Sequence, residues 1–143
     1  MSNIIARFSL LVLLILILMG CTNAVKESDI KMMQGYWEIE KVVFPNGKEK
    51  EYKVNEIIDF FDLKQKAGSR KKVKPQFDGS YIMFGDAEAI SVSVRDDTAF
   101  LEYKTPYAQW KEEIIELSQD KLILRNEQNT EYHYKRPIPF SIK

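Results

Sequence analysis

Apolar and polar residues alternate with a period of two along most of the chain after residue 35. Within the segment Tyr36–Phe44, for example, Trp37 and Ile39 are separated by acidic residues. This alternation is typical of a β-strand with one buried face. The strand ends at Pro45-Asn46-Gly47, a strong turn signal, after which the chain is expected to return as a second strand.

The same period predicts strands along the rest of the chain, at Lys48–Lys53, Ser80–Phe84, Ala89–Arg95, Thr98–Lys104, Trp110–Leu117, Lys121–Asn126 and Thr130–Arg136. The later strands are joined by short turn-forming segments, namely Gly85-Asp86, Asp96-Asp97, Ser118-Gln119-Asp120 and Glu127-Gln128-Asn129. Evenly spaced short strands with tight turns predict an all-β, antiparallel domain built as a meander, sandwich or barrel.

One segment departs from this period, and its apolar residues fall at helical spacing: Val54, Ile57, Ile58 and Phe61. Asn55 is well placed as an N-cap, and Gly68 follows as a stop signal. The pattern favours a short helix over residues 55–65. A buried strand that contains the pair Phe60-Phe61 is the alternative, because periodicity alone does not separate the two.

The N-terminal segment has the pattern of a signal peptide. Arg7 is its only charge, and residues 8–19 are apolar except for Ser9. A charged start, a short apolar run and small residues at its end are typical of a secretory signal. The run is too short for a comfortable membrane span, which needs about 20 residues. We therefore expect residues 1–20 to be removed.

The tetrapeptide Leu18-Met19-Gly20-Cys21 resembles the lipobox of bacterial lipoproteins. The resemblance implies that the Cys21 thiol receives a diacylglyceryl group, whose fatty acyl chains, such as palmitate, attach the protein to a membrane. Residues 21–34 are then a lipidated terminus and tether that ends in a short turn, and residues 35–143 form the domain. An Asp directly after the lipidated Cys would resemble an inner-membrane retention signal, and this chain has Thr22 there instead. We therefore expect a lipid-anchored protein of the cell envelope, at the outer membrane.

Composition narrows the class of protein further. The chain has 21 acidic and 21 basic residues, and removal of residues 1–20 takes away Arg7 and no acid. A nearly neutral chain does not suggest nucleic-acid binding. Cys21 is the only cysteine, so the domain contains no disulfide and depends on its own core. The length suits one domain, which we expect to be a monomer.

The triplet Gly35-Tyr36-Trp37 resembles the Gly-x-Trp signature of the lipocalins and related calycins. In that family the Trp plugs the closed end of an up-and-down barrel, and an Arg near the end of the last strand packs across its indole. The last predicted strand would run antiparallel to the first, so Arg136 is expected beside Trp37, in preference to Arg125. The alternative is that Trp37 is a core aromatic residue of another β fold.

The C-terminal half resembles the small lipocalin-like lipoproteins of Bacteroidetes-type bacteria in Glu116-Leu117-Ser118, in Lys121–Arg125, and in Tyr132 with Arg136. The resemblance implies an all-β, antiparallel up-and-down barrel of about eight strands with one short helix. By analogy with the family, the helix predicted at residues 55–65 would act as a lid over the barrel.

No catalytic or metal-binding arrangement is evident. His133 is the only histidine, and alternation places it on the outer face of its strand, so a base for nucleophilic catalysis is lacking. One histidine without an available cysteine does not supply a zinc site. Glu112, Glu113 and Glu116 lack the spacing of a calcium loop and fit a solvated strand face. We expect neither an enzyme nor a cofactor.

A basic run without acidic residues is a candidate for contact with anionic partners; it consists of Lys64, Lys66, Arg70, Lys71, Lys72 and Lys74. Near a membrane, such a loop would be attracted to anionic headgroups. The alternative is a mobile, solvated loop.

The barrel interior is the other candidate site, since a small barrel holds either packed side chains or one small ligand. The candidate ligand contacts are Tyr81, Met83, Phe100, Tyr103, Tyr132 and Tyr134, with Trp110 as a further aromatic residue. They suggest a small apolar or amphipathic ligand. The alternative is a filled barrel that acts as an interaction module through its outer surface. A cavity of about 300 Å³ or more would favour ligand binding.

Overall fold

The computed structural model describes residues 24–139, which form one 3₁₀ helix and ten strands. The 3₁₀ helix spans Glu27–Met33. The strands are β1 Gly35–Val43, β2 Glu49–Glu51, β3 Ile58–Lys64, β4 Ala67–Pro75, β5 Tyr81–Met83, β6 Glu88–Arg95, β7 Thr98–Lys104, β8 Gln109–Leu117, β9 Lys121–Arg125 and β10 Glu131–Lys135. No helix within residues 24–139 is long and apolar enough to cross a bilayer.

Eight of the strands close into an antiparallel up-and-down barrel, in the order β1-β3-β4-β6-β7-β8-β9-β10. The barrel closes where β10 pairs with β1, with Glu38 opposite Lys135 and Val43 opposite Glu131. The two extra strands, β2 and β5, pair with the outer ends of β1 and β4. The predicted all-β barrel is therefore confirmed, and closure removes the exposed sheet edges that invite aggregation.

The helix predicted over residues 55–65 is wrong, and so is its role as a lid. Residues 58–64 form β3, which turns back into β4 through Gln65, a residue with φ of +60°. Phe61 is fully buried in the barrel, whereas Ile58 is buried although it has the opposite parity. Apolar residues on both faces of β3 thus produced a spacing that mimics a helix. Gly68 is needed in the hairpin, because a Cβ there would lie 1.9 Å from the Asp62 carbonyl oxygen.

The closed end of the barrel contains the main apolar core. Trp37, Phe61, Leu101 and Leu122 are fully buried there. The 3₁₀ helix covers this end and adds Ile30 and Met33 to the same cluster, as does Val25 before it. The short turn predicted at the end of the tether is present as this 3₁₀ helix, but the packed part of the chain begins at Val25, before the domain boundary expected at Gly35.

Arg136, which follows the last strand, binds to residues at the closed end of the barrel. Its guanidinium carbon lies 3.6 Å from the centre of the Trp37 ring. Its nitrogens donate hydrogen bonds to four backbone carbonyls, those of Met32 (2.6 Å), Tyr36 (3.1 Å), Gln34 (3.2 Å) and Gln119 (2.8 Å). The Trp37 indole N–H donates to the Met33 carbonyl at 2.8 Å. The contact expected between the first and last strands is therefore present.

Candidate functional site

A cavity of about 390 Å³ opens at the end of the barrel opposite Trp37. Its walls carry side chains from β1, β8 and β10, with Ile39, Trp110, Tyr132 and Tyr134 as the apolar and aromatic part. The β9–β10 turn, residues 126–128, forms part of its rim. The interior is thus divided between a packed core at the closed end and open space at the other.

A layer of charged and hydroxyl groups separates the cavity from the apolar core. The Arg70 guanidinium forms an ion pair with Glu88, donates to the Tyr103 hydroxyl at 3.3 Å and stacks over that ring. The Lys72 ammonium pairs with Asp59, whose side chain is only 2% exposed. These groups meet because β4 directs residues 70 and 72 inward, while Val73 with the opposite parity is buried on the outside.

The buried guanidinium remains charged. Burial alone would lower the pKa of Arg70, but interactions with Tyr103, Glu88 and Asp59 outweigh it and raise the pKa above its ordinary value. A buried charge is tolerated when it is paired and hydrogen-bonded in this way. The Tyr103 and Tyr134 hydroxyls of the same layer stay neutral, because burial raises the pKa of both well above the usual range.

Glu112 also belongs to this layer and lines the cavity. It is 7% exposed, and burial raises its pKa, although a hydrogen bond from Tyr103 and the charge of Arg70 oppose that rise. The prediction that Glu112 lies on a solvated strand face is therefore wrong. The signal that would have located it is its parity with Trp110 and Ile114, which both point into the barrel.

The aromatic residues predicted to contact a ligand separate into two groups. Tyr132 and Tyr134 line the cavity, as Trp110 does, and Tyr103 lies buried beneath it. Three others lie outside the barrel wall, and the prediction that they face the interior is wrong.

Tyr81, Met83 and Phe100 are those three residues. Tyr81 stacks on Tyr36 with ring centres 3.9 Å apart, and Met83 is 49% exposed on the short strand β5. Phe100 lies between two buried residues of β7, and therefore points to the opposite face, where the Lys111 ammonium approaches its ring. The error arose because β5 is an extra strand outside the barrel, and Tyr81 joins an aromatic cluster on the outer surface.

The basic run does not form a loop. Its residues lie at the end of β3, in the β3–β4 turn and along β4, so successive side chains point to opposite faces. Arg70 and Lys72 point inward onto carboxylates, and the exposed Lys66 pairs with Glu27 at 2.7 Å. Lys64 and Lys74 are exposed at opposite ends of the hairpin, and Lys71 is partly buried on its outer face. The prediction that all six residues form one surface for an anionic partner is therefore wrong.

His133 lies on the outer side of β10, the face on which alternation predicts it. Its Nε2 atom is 3.0 Å from the Glu131 carboxylate, and the side chain is half-buried. Among residues 24–139 no group of three or more His, Cys, Asp or Glu side chains is arranged to hold a metal ion. Cys21 and the predicted signal peptide lie outside the described residues.

Comparison with known proteins places the chain in a family. A family model described as a lipocalin-like domain matches residues 33–124. Similar solved structures include a lipocalin-like protein from Bacteroides uniformis, at 14% identity and a TM-score of 0.49, with 74% of this chain and 99% of that chain covered. An uncharacterized protein from Bacteroides eggerthii has 17% identity and a TM-score of 0.49, with 73% and 99% covered. A comparison with curated proteins gives no match. On the strength of the family match, the chain belongs to the lipocalin-like domain family.

Proposed function

We propose that the protein binds one small amphipathic molecule in the open end of its barrel. The single observation that carries the proposal is the cavity of about 390 Å³, which lies within the size range of small-molecule sites. Its walls combine broad apolar surface from Trp110 and Tyr132 with polar groups at the base. Sites of this type obtain affinity from the walls and orientation from the few polar groups.

The charged base favours an amphipathic ligand over a wholly apolar one. Arg70, Lys72 and Glu112 all reach the cavity surface. A purely apolar molecule that filled the space would remove their water without supplying hydrogen bonds, and burying polar groups in this way is costly. A ligand with a polar end toward the base and an apolar end toward the rim avoids that cost.

The proposal is of a binding protein and not an enzyme. The one histidine of the chain lies on the outer surface of β10 and contacts a glutamate. General acid–base catalysis would require a titratable group within hydrogen-bond reach of a bound substrate. Two carboxylates beneath the cavity, Glu88 and Asp59, are held in ion pairs. Glu112 lines the cavity without a second titratable group placed as its acid–base partner in the proposal.

A lipid anchor at Cys21 is the second part of the proposal, together with a position at the outer membrane of the cell envelope. The packed domain begins at Val25, only a few residues after Cys21. Acyl chains on Cys21 would therefore hold the barrel close to the bilayer, and two or more chains give stable attachment.

Native mass spectrometry of protein purified from its own host tests the binding proposal. We expect a co-purifying small molecule, and we expect Ile39→Trp to lose it, because the larger side chain occupies the cavity. The matched control is Val43→Trp, which enlarges a residue on the same strand that is not part of the cavity wall. Absence of any bound molecule, together with failure to bind added octyl amphiphiles, would contradict the proposal.

The anchor has a separate test. Metabolic labelling with radioactive palmitate should label the wild-type protein and not Cys21→Ser, and fractionation should find the labelled protein with the outer membrane. Equal membrane retention of the two proteins would contradict lipid attachment at Cys21. Recovery of the label with the inner membrane would contradict only the location.

A further inference from the structure

The charged layer beneath the cavity contains two cations and three carboxylates, while the rest of the cavity lining adds one residue of each sign, Lys111 and Glu127. Two cations, Arg70 and Lys72, are each matched by a carboxylate, Glu88 and Asp59 respectively. Glu112 is the remaining carboxylate of the layer, and no cation lies within ion-pair distance of it among residues 24–139. The cavity is therefore bordered by a buried carboxylate that the charges of Arg70 and Lys72 stabilise from a distance but that forms no direct ion pair.

This carboxylate faces the cavity and not solvent. Glu112 is 7% exposed and lines the space in which a ligand would lie. A buried carboxylate without a paired cation is costly, because its charge has left water. Its neighbour Tyr103 accepts a hydrogen bond from Arg70 at 3.3 Å and donates one to Glu112, which gives the carboxylate a hydrogen bond but no counter-charge. A bound positive charge would relieve this cost, whereas a bound anion would increase it.

Aromatic side chains line the same cavity. Trp110 and Tyr103 stack on each other with ring centres 4.9 Å apart, and Tyr132 and Tyr134 complete the wall. The faces of aromatic rings attract cations, and the attraction is stronger when both groups are shielded from water. A carboxylate and aromatic side chains that line one cavity are groups that recognise ammonium ions.

Building on the proposed function, we propose that the ligand is a cationic amphiphile, whose ammonium group pairs with Glu112 while its apolar part lies against Trp110 and Tyr132. An anionic head is disfavoured at the base of the cavity, because Arg70 and Lys72 would have to release Glu88 or Asp59 before they could pair with it. Lys111, the third cation of the lining, has its ammonium over the Phe100 ring on the outer face. A neutral alcohol would fill the apolar wall but leave Glu112 without a counter-charge.

Isothermal titration calorimetry of the purified protein with octylammonium, octanol and octanoate at neutral pH tests this inference. The three probes share one apolar chain and differ in the charge of the head. We expect octylammonium to bind at least about tenfold more tightly than octanol, since a hydrogen bond to a charged group is worth 10-fold or more in affinity. Octanoate should bind most weakly.

Glu112→Gln should reduce the affinity for octylammonium to that for octanol, measured on the same variant. The matched control is Glu116→Gln, which makes the same chemical change on the same strand at a residue that pairs with Lys121 on the surface. Equal binding of octanol and octylammonium to the unmutated protein, or preference for octanoate, would overturn the inference while the proposed function stands. Binding of none of the three would overturn both, and the unmutated protein alone decides these outcomes if Glu112→Gln fails to fold.

Discussion

The guanidinium of Arg136 lies 3.6 Å above the centre of the Trp37 indole, and so joins the residue after the last strand to the first strand. The same guanidinium donates to four backbone carbonyls around the closed end. A planar group with several donors in fixed directions makes such a set of bonds, whereas an ammonium does not. The pair therefore holds together the end of the barrel that carries the apolar core.

Arg136→Lys tests whether the contacts of this guanidinium stabilise the closed end. The substitution keeps the charge but loses most of the bonds to carbonyls, and we expect it to lower the free energy of unfolding by about 2–3 kcal/mol. Urea denaturation followed by tryptophan fluorescence measures the change. Arg95→Lys, at an exposed position at the end of β6, is the control and should change stability by less than about 0.5 kcal/mol. Equal effects of the two substitutions would contradict the role given to Arg136.

Lys72→Met tests the inner ion pair. Removal of the ammonium leaves the Asp59 carboxylate, which is 2% exposed, without its cation. Because Lys72 itself is partly exposed, we expect a loss of about 1–3 kcal/mol in the free energy of unfolding. The double variant Asp59→Asn with Lys72→Met removes both charges and should recover part of that loss. A double variant less stable than the sum of the two single changes would contradict the pairing.

The pH dependence of stability tests the burial of Glu112. Burial raises its folded pKa above the unfolded value near 4.5, so the folded protein holds this proton more tightly than the unfolded chain does. Its contribution to stability is present below pH 4.5 and is lost as the pH rises through the folded pKa. Relative to wild type, Glu112→Gln should therefore gain stability as the pH rises from 4.5 and then reach a plateau.

Thermal unfolding across that pH range measures the difference between the two proteins. The surface substitution Glu116→Gln serves as the reference. A difference between Glu112→Gln and wild type that stays constant with pH would show that the folded state does not shift the titration of Glu112.

Paired alanine substitutions separate the aromatic residues of the cavity from those of the outer surface. Tyr132→Ala removes part of the cavity wall and should weaken binding of an octyl amphiphile about tenfold. Tyr81→Ala removes the ring stacked on Tyr36 outside the barrel, and should lower stability by about 1 kcal/mol with binding unchanged. Calorimetry and urea denaturation report the two effects. Weaker binding in Tyr81→Ala and not in Tyr132→Ala would reverse the assignment.

A strand is predictable from this sequence when only one of its faces buries apolar residues. Strands such as β7 bury one apolar face and expose the other, so alternation located them within a residue or two. In β4 the inward residues Arg70 and Lys72 are charged and Val73 is buried outside, so the usual pattern is inverted. The charged layer was missed for the same reason, because a single sequence does not show that these charges meet Asp59 across a hairpin.

The most direct test of a ligand in the open end of the barrel uses the two tryptophans of the chain. Trp110 lines the cavity, whereas Trp37 is fully buried at the closed end with its indole N–H bonded to Met33. In a ¹⁵N-labelled sample titrated with octylammonium, we expect the indole signal of Trp110 to shift and saturate while that of Trp37 stays in place. Two unmoved signals at millimolar ligand, or a shift confined to Trp37, would contradict the account.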